Sequence, residues 1–182
     1  MVRGKHVVYL AIQPPPEAAA QALARLDASS QRRRLSARPV APERLHVSLF
    51  HVGDFKRPPT PVFDKVIAAL SVVDTRPFVV EFNRLGTWPA GDPPRPVVLW
   101  GDEGVIGVTG LYSAIFRAMR RIDMAPRREP EMTPHMTLVY DKAEVPETFI
   151  EPVSWMVEEF VLIHAVHGEG RFEVVGRVPL NG

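Results

Sequence analysis

The sequence predicts an α+β fold: one domain over residues 1–182, built from two pseudo-repeated halves. Three observations carry that reading. A chain of 182 residues suits one ordinary domain, or two small lobes on a shared core, and is too short for two independent domains. An order of strand, helix, loop and histidine-bearing strand occurs twice. From the start of the first strand to its histidine the distance is 46 − 7 = 39 residues, and in the second unit it is 135 − 97 = 38. Two further apolar runs close the chain as strands.

Taken in order, residues 7–12 form a β-branched and aromatic run that stops at Pro14, which reads as a short buried strand. Residues 17–26, with Ala, Leu and Gln at helical spacing behind prolines, read as a helix. An arginine-rich loop through Arg32, Arg33 and Arg34 leads to a strand over residues 44–52 that carries His46 and ends at Gly53-Asp54. Residues 62–70 are expected to be helical and 78–85 a strand. After a proline- and glycine-rich stretch near 86–96, residues 97–100 read as a strand and 105–121 as an amphipathic helix. Residues 132–140 form the second histidine strand. Residues 157–165 and 172–178 come next as strands, joined by the turn His167-Gly168-Glu169-Gly170.

Composition removes several function classes. With 46% hydrophobic and 24% charged residues, the chain has the balance of a globular protein. Its longest apolar runs fall far short of the roughly 20 residues needed to cross a bilayer, so no membrane partner is expected. The start, with Arg3, Lys5 and His6, precedes too short an apolar run for a signal-peptide core, and a cytoplasmic protein is expected. The absence of cysteine excludes disulfides, thiolate nucleophiles and cysteine-based zinc sites. A net charge of +1 lacks the electrostatic footprint of extended nucleic-acid binding, so any nucleic-acid substrate must be held locally.

Each half carries His-x-Ser/Thr-Leu: His46, Ser48 and Leu49, then His135, Thr137 and Leu138. Strand side chains alternate faces, so each half presents an imidazole and a hydroxyl side by side. Phosphodiester cleavage needs a base, an acid and donors for the phosphoryl oxygens. Imidazole suits both proton-transfer roles, because an unperturbed pKa of about 6.5 lets one copy be neutral and the other protonated. No metal or other cofactor is required by this scheme. One such motif alone is usually structural; two at matched positions of a repeated unit point to His46 and His135 as catalytic and to Ser48 and Thr137 as phosphate-binding.

These residues resemble the two-histidine (2H) phosphoesterase superfamily, and within it the 2′-5′ RNA ligase family of RNA 2′,3′-cyclic phosphodiesterases. The resemblance covers nearly the whole chain. It includes Tyr9-Leu10-Ala11-Ile12 with Pro14 to Pro16, both histidine motifs, Phe160-Val161-Leu162, and Gly170-Arg171-Phe172-Glu173-Val174 leading to Val178-Pro179-Leu180. It implies a bilobal fold with two antiparallel sheets facing a central cleft and helices outside. It also implies metal-independent opening of a 2′,3′-cyclic phosphate to a 2′-phosphomonoester, with reversible 2′-5′ ligation in some members. His135 as base and His46 as acid are carried by the same analogy. Three positions differ from the usual pattern: Tyr140 where many members have arginine, His51 in place of an apolar residue, and His164 in place of a serine.

The implied partners are RNA with a 2′,3′-cyclic phosphate end, or a small cyclic nucleotide such as a cyclic phosphate of ADP-ribose or a 2′-5′ oligoadenylate. A non-catalytic RNA-binding module of the same fold is the reading from another class. A monomer is expected. Further candidate substrate contacts are Phe50, Tyr140, Arg127 and Arg128, with Trp88 and Trp100 as other aromatics able to stack a base. Phe50 is expected to share the face of His46. His51, an odd number of positions away, is expected to face elsewhere unless a bulge flips it. His6 reads as a solvated terminal residue and His164 as a strand-end residue. A metal site from His46, His51 and His135 is disfavoured, since neither motif has a neighbouring carboxylate or a histidine pair at helical spacing.

Overall fold

The computed structural model describes every residue except 1–3, 30, 31, 90 and 182, so Arg3 lies outside the described residues. The elements run β1 (His6–Ile12), α1 (Pro16–Ala28), β2 (Val47–Phe55), α2 (Thr60–Leu70), β3 (Phe78–Thr87), β4 (Arg95–Trp100), α3 (Ile106–Arg121), β5 (His135–Asp141), β6 (Thr148–Val157), β7 (Glu159–Val166) and β8 (Arg171–Pro179). Short 3₁₀ turns at Arg32–Arg34, Pro42–Arg44 and Glu103–Val105 connect them. The expected α+β class holds, and each expected strand and helix is present with shifted ends.

The strands form one antiparallel sheet in the order β6-β3-β4-β5-β2-β1-β7-β8. Its middle is thin. The two inner strands, β2 and β5, meet at a single bridge, Val47 with Met136, whereas the other neighbours share ladders of four to eight residue pairs. The sheet is therefore two four-stranded halves meeting at a seam. Counted outward from it, one half reads β2-β1-β7 and the other β5-β4-β3, so the units β1-α1-β2 and β4-α3-β5 occupy matching places.

The helices share one continuous core with one face of both halves. Helix α3 buries Val108, Leu111, Ile115, Phe116 and Met119 at helical spacing and packs on β2 and β3, one strand from each half. Helix α1 lays a small-residue face, Ala18, Ala19 and Ala22 with Leu26, on β6, while α2 packs on α3 and β8. Among the described residues, the opposite face holds only a small apolar cluster around Ala11, Val161 and Ile163, beside Tyr9 and Phe172. That face is left open. No helix among the described residues is long and apolar enough to cross a membrane.

Strand β6 escapes sequence reading for a physical reason. Its buried Val153, Trp155 and Val157 alternate with exposed Ser154 and Met156, which is strand periodicity, but Glu151 and Pro152 interrupt it. An edge strand tolerates proline because one row of its donors needs no partner, and the ladder to β3 skips there, passing from Phe82–Val153 to Arg84–Phe149.

One buried carboxylate ties the segment before β2 to the end of β5. Asp141 is 3% exposed; its Oδ2 accepts the backbone N–H groups of Ser36 and Ala37, both at 2.7 Å, and its Oδ1 accepts that of Ala143 at 2.9 Å. These donors, led by Ala143, hold the Asp141 carboxyl down at about 2, although burial alone opposes ionisation. The Val40 N–H also donates to the Leu138 carbonyl at 2.7 Å. Residues 36–41 are thereby fastened along β5.

Candidate active site

The register through Val47 and Met136 sets His46 opposite Thr137 and Ser48 opposite His135, all on the open face of the seam. All four line a cleft of about 880 Å³ with Tyr9, Arg44, His51, Tyr140, Arg171 and Phe172. The structure thus brings the four principal sequence-predicted residues together.

The two histidines are held alike. His46 Nδ1–H donates to the Arg44 carbonyl at 2.7 Å, and His135 Nδ1–H donates to the Thr133 carbonyl at 2.8 Å. A carbonyl can only accept, so each neutral ring is fixed in the Nδ1–H form and leaves Nε2 with a free lone pair. Aromatic rings steady both. Tyr9 and Phe172 stand 5.2 and 5.8 Å from the His46 ring, and Trp88 stacks on His135 at 4.8 Å with the planes 22° apart.

The surroundings of His46 favour its neutral form. Burial is the main cause; the nearby charges of Arg44 and His135 act the same way, while the bond to the Arg44 carbonyl works against them, and the net effect holds His46 below its ordinary value. Burial also lifts the Tyr9 phenol to about 12, against the pull of Arg44, so its hydroxyl stays protonated.

A bulge recurs three residues after each histidine and reverses the facing expected for the residues beyond it. On β2 the pairing jumps from Ser48–Ala11 to Phe50–Leu10, so Leu49 is the extra residue. On β5 it jumps from Thr137–Val98 to Val139–Val97, with Leu138 extra. The period-2 alternation breaks at both places. Phe50 therefore does not share a face with His46. It is 8% exposed and lies among the core residues, with its ring 6.5 Å from that of Phe116 on α3. His51 and Tyr140, five positions after their histidines, line the cleft instead. Phe50→Leu is accordingly expected to reduce stability by about 1 kcal/mol in chemical denaturation while leaving KM for any cleft substrate unchanged.

Other expectations also shift. Arg127 and Arg128 are exposed on the loop before β5 and are not among the residues lining the cleft, and Arg32 pairs with Asp27 at 2.9 Å. Trp88 covers His135, and half-buried Trp100 meets Trp88 edge-on at 6.4 Å. His6 is not a solvated terminus. Its Nδ1 lies 2.8 Å from Nε2 of His164, and their rings stack. His164 is 3% exposed and stands 5.4 Å from the Phe63 ring of α2, on the helix side and away from the cleft. Burial, reinforced by His6, pushes its protonation downward.

Sequence reasoning missed Arg44, Arg171 and Phe172 as cleft residues. For Arg44 the signal was there, since it stands two positions before His46. Among the described residues, no three histidine or carboxylate side chains come together as a metal site would require.

Fold and site together set two histidine–hydroxyl pairs on neighbouring strands at one open cleft. Residues 12–98 match the family described as LigT like Phosphoesterase, a stretch that includes His46 and stops short of His135. An RNA 2′,3′-cyclic phosphodiesterase of Archaeoglobus fulgidus is 27% identical over 111 residues, 59% of this chain and 58% of that protein. The match thus spans little more than half of the curated relative. Escherichia coli LigT in its apo form superposes with a TM-score of 0.76 at 22% identity, covering 98% of this chain and 99% of LigT. LigT complexed with 3′-AMP gives 0.75 at 22% identity over the same shares, and TT0787 of Thermus thermophilus gives 0.72 at 23%, covering 97% and 98%. The chain is LigT-like in its family match and in its fold, as the sequence resemblance implies.

Proposed function

We propose that the protein hydrolyses the 2′,3′-cyclic phosphate of an RNA end or nucleotide to a 2′-phosphomonoester, with His46 and His135 as its acid–base pair. The observation that carries this reading is the matched anchoring of two imidazoles on facing strands, each with Nε2 free toward one cleft. The relative in Archaeoglobus and the 3′-AMP complex of LigT support a nucleotide substrate.

His135 Nε2 takes a proton from water as its oxygen attacks phosphorus. The bond from phosphorus to the 3′ oxygen breaks, and His46 delivers a proton to that oxygen, leaving a free 3′ hydroxyl and the phosphate on the 2′ oxygen. Ser48 and Thr137 donate to the non-bridging oxygens. The roles of the two histidines follow the family analogy, and no metal is required. A bound phosphodiester anion favours the imidazolium form of His46, offsetting the burial that disfavours it in the free cleft.

A smaller nucleotide remains the second reading, favoured by the position of Arg127 and Arg128 away from the cleft, where they lay no cationic track to lead a polymer in. Turnover of 2′,3′-cyclic AMP is the test of the reaction, and comparison with an oligonucleotide bearing the same end separates the two substrates. Equal kcat/KM for both supports recognition of the terminal nucleotide alone.

A further inference from the structure

The histidine–hydroxyl pairs offer a phosphodiester anion no charge beyond that of an imidazolium, a form that burial disfavours at His46, so a permanent cation at the seam would strengthen the hold on the anion. Neither catalytic strand supplies one. The positions brought into the cleft by the paired bulges are His51 and Tyr140, and His51 Nε2 already lies 3.4 Å from the Asp54 carboxylate. The permanently charged side chains among the described lining residues are Arg44 and Arg171. Arg171 has a carboxylate within 3.8 Å, that of Glu173. Arg44 makes no ion pair among the described residues.

Its guanidinium is nonetheless held in place. The Arg44 Cζ sits 5.4 Å above the centre of the Phe172 ring, and that ring stands 5.8 Å from the His46 imidazole. A guanidinium resting on an aromatic face keeps its N–H edges free, and those edges match two phosphate oxygens at once. The Arg44 backbone meanwhile accepts the His46 Nδ1–H. One residue therefore fixes the imidazole with its carbonyl and carries an unengaged cation beside it. The charge is close enough to register, since Arg44 is among the causes that disfavour protonation of both His46 and Tyr9.

We infer that Arg44 is the phosphate clamp of this cleft, contributed by the turn before β2 rather than by either histidine strand, and held ready on Phe172. The inference rests on the phosphodiester reading above for its substrate, but not for its anion. In the free protein the guanidinium lies on the ring; when a phosphodiester occupies the seam, its N–H edges share with Ser48 and Thr137 the two non-bridging oxygens, each of which has lone pairs for more than one donor. The clamp acts mainly in ground-state binding, so its loss raises KM more than it lowers kcat.

The test uses inorganic phosphate and 2′,3′-cyclic AMP with wild type, Arg44→Met, Arg44→Lys and Arg171→Met, and with Arg121→Met at the far end of α3 as control. Calorimetry is expected to show phosphate binding weakened about 10- to 100-fold in Arg44→Met and restored in large part by Arg44→Lys. The control is expected to match wild type. KM for the cyclic nucleotide is expected to rise with the phosphate Kd while kcat stays within a few fold. Because Arg44→Met keeps the backbone carbonyl, the His46 tautomer survives, and a merely structural role predicts no such split. Retention of wild-type phosphate affinity in Arg44→Met, or its loss in Arg171→Met instead, overturns the inference, as does failure of the wild type to bind phosphate. Phosphate binding that depends on Arg44, in a protein that turns over no cyclic nucleotide, leaves the clamp standing and removes the proposed reaction.

Discussion

Replacing either His46 or His135 by alanine is expected to lower kcat for a 2′,3′-cyclic nucleotide by about 10²- to 10⁴-fold, the range of a positioned general acid or base. The two losses are expected to overlap, so that the double variant is little worse than the weaker single one, because an acid and a base serving one bond cleavage act as a unit. Stability is expected to hold. Both rings lie half-exposed on the cleft face, outside the main core, and each gives up one hydrogen bond to an accessible carbonyl. Steady-state kinetics beside chemical denaturation checks both halves of the expectation. Near-wild-type turnover in both single variants sinks the acid–base pair, while loss of activity together with loss of fold points to a structural role.

Asp141→Asn is expected to have the largest effect on stability, about 2–4 kcal/mol, through loss of charge-assisted bonds and the turning of an amide N–H₂ toward backbone donors. Two of those donors, Ser36 and Ala37, begin the segment that carries Pro39, Val40 and Ala41 into the cleft wall. The effect depends on pH in a definite direction. The folded-state value of about 2 lies below the unfolded value near 3.9, so the stabilisation is fully present above about pH 4. It is lost as the pH falls from 4 toward 2. Wild type and variant should therefore differ most near neutrality and converge in acid when unfolding is followed by urea titration at several pH values. A constant gap down to pH 2 would contradict the assignment.

The parts of the site that are legible in the sequence are those that depend on local repetition. His46 with Ser48 and His135 with Thr137 stand at even spacing on strands whose buried neighbours, Val47 and Met136, mark the opposite face. That pattern survives because both bulges lie just beyond it, at Leu49 and Leu138. Past the bulges, alternation gives the opposite of what the chain does, which is why Phe50 was expected in the cleft and His51 outside it. Nothing in the residue types there announces the extra residue.

Non-local contacts were equally out of reach. The partnership of His6 with His164 spans 158 positions, and that of Asp141 with Ser36 spans 105. Arg44 and Phe172 meet only because β1 lies between β2 and β7, which in turn carries β8. The edge strand β6 was hidden by Pro152, a residue that is tolerated there because the strand has a neighbour on one side alone.

The central claim is that two imidazoles on facing strands open a cyclic phosphodiester without help from a metal. Incubating the purified protein with 2′,3′-cyclic AMP in excess chelator, and resolving the products by chromatography, tests it most directly. The predicted result is steady accumulation of adenosine 2′-phosphate, unaffected by the chelator, with a bell-shaped dependence of kcat/KM on pH. Adenosine 3′-phosphate as the product, or activity that vanishes with the chelator and returns with a divalent metal, would contradict the account.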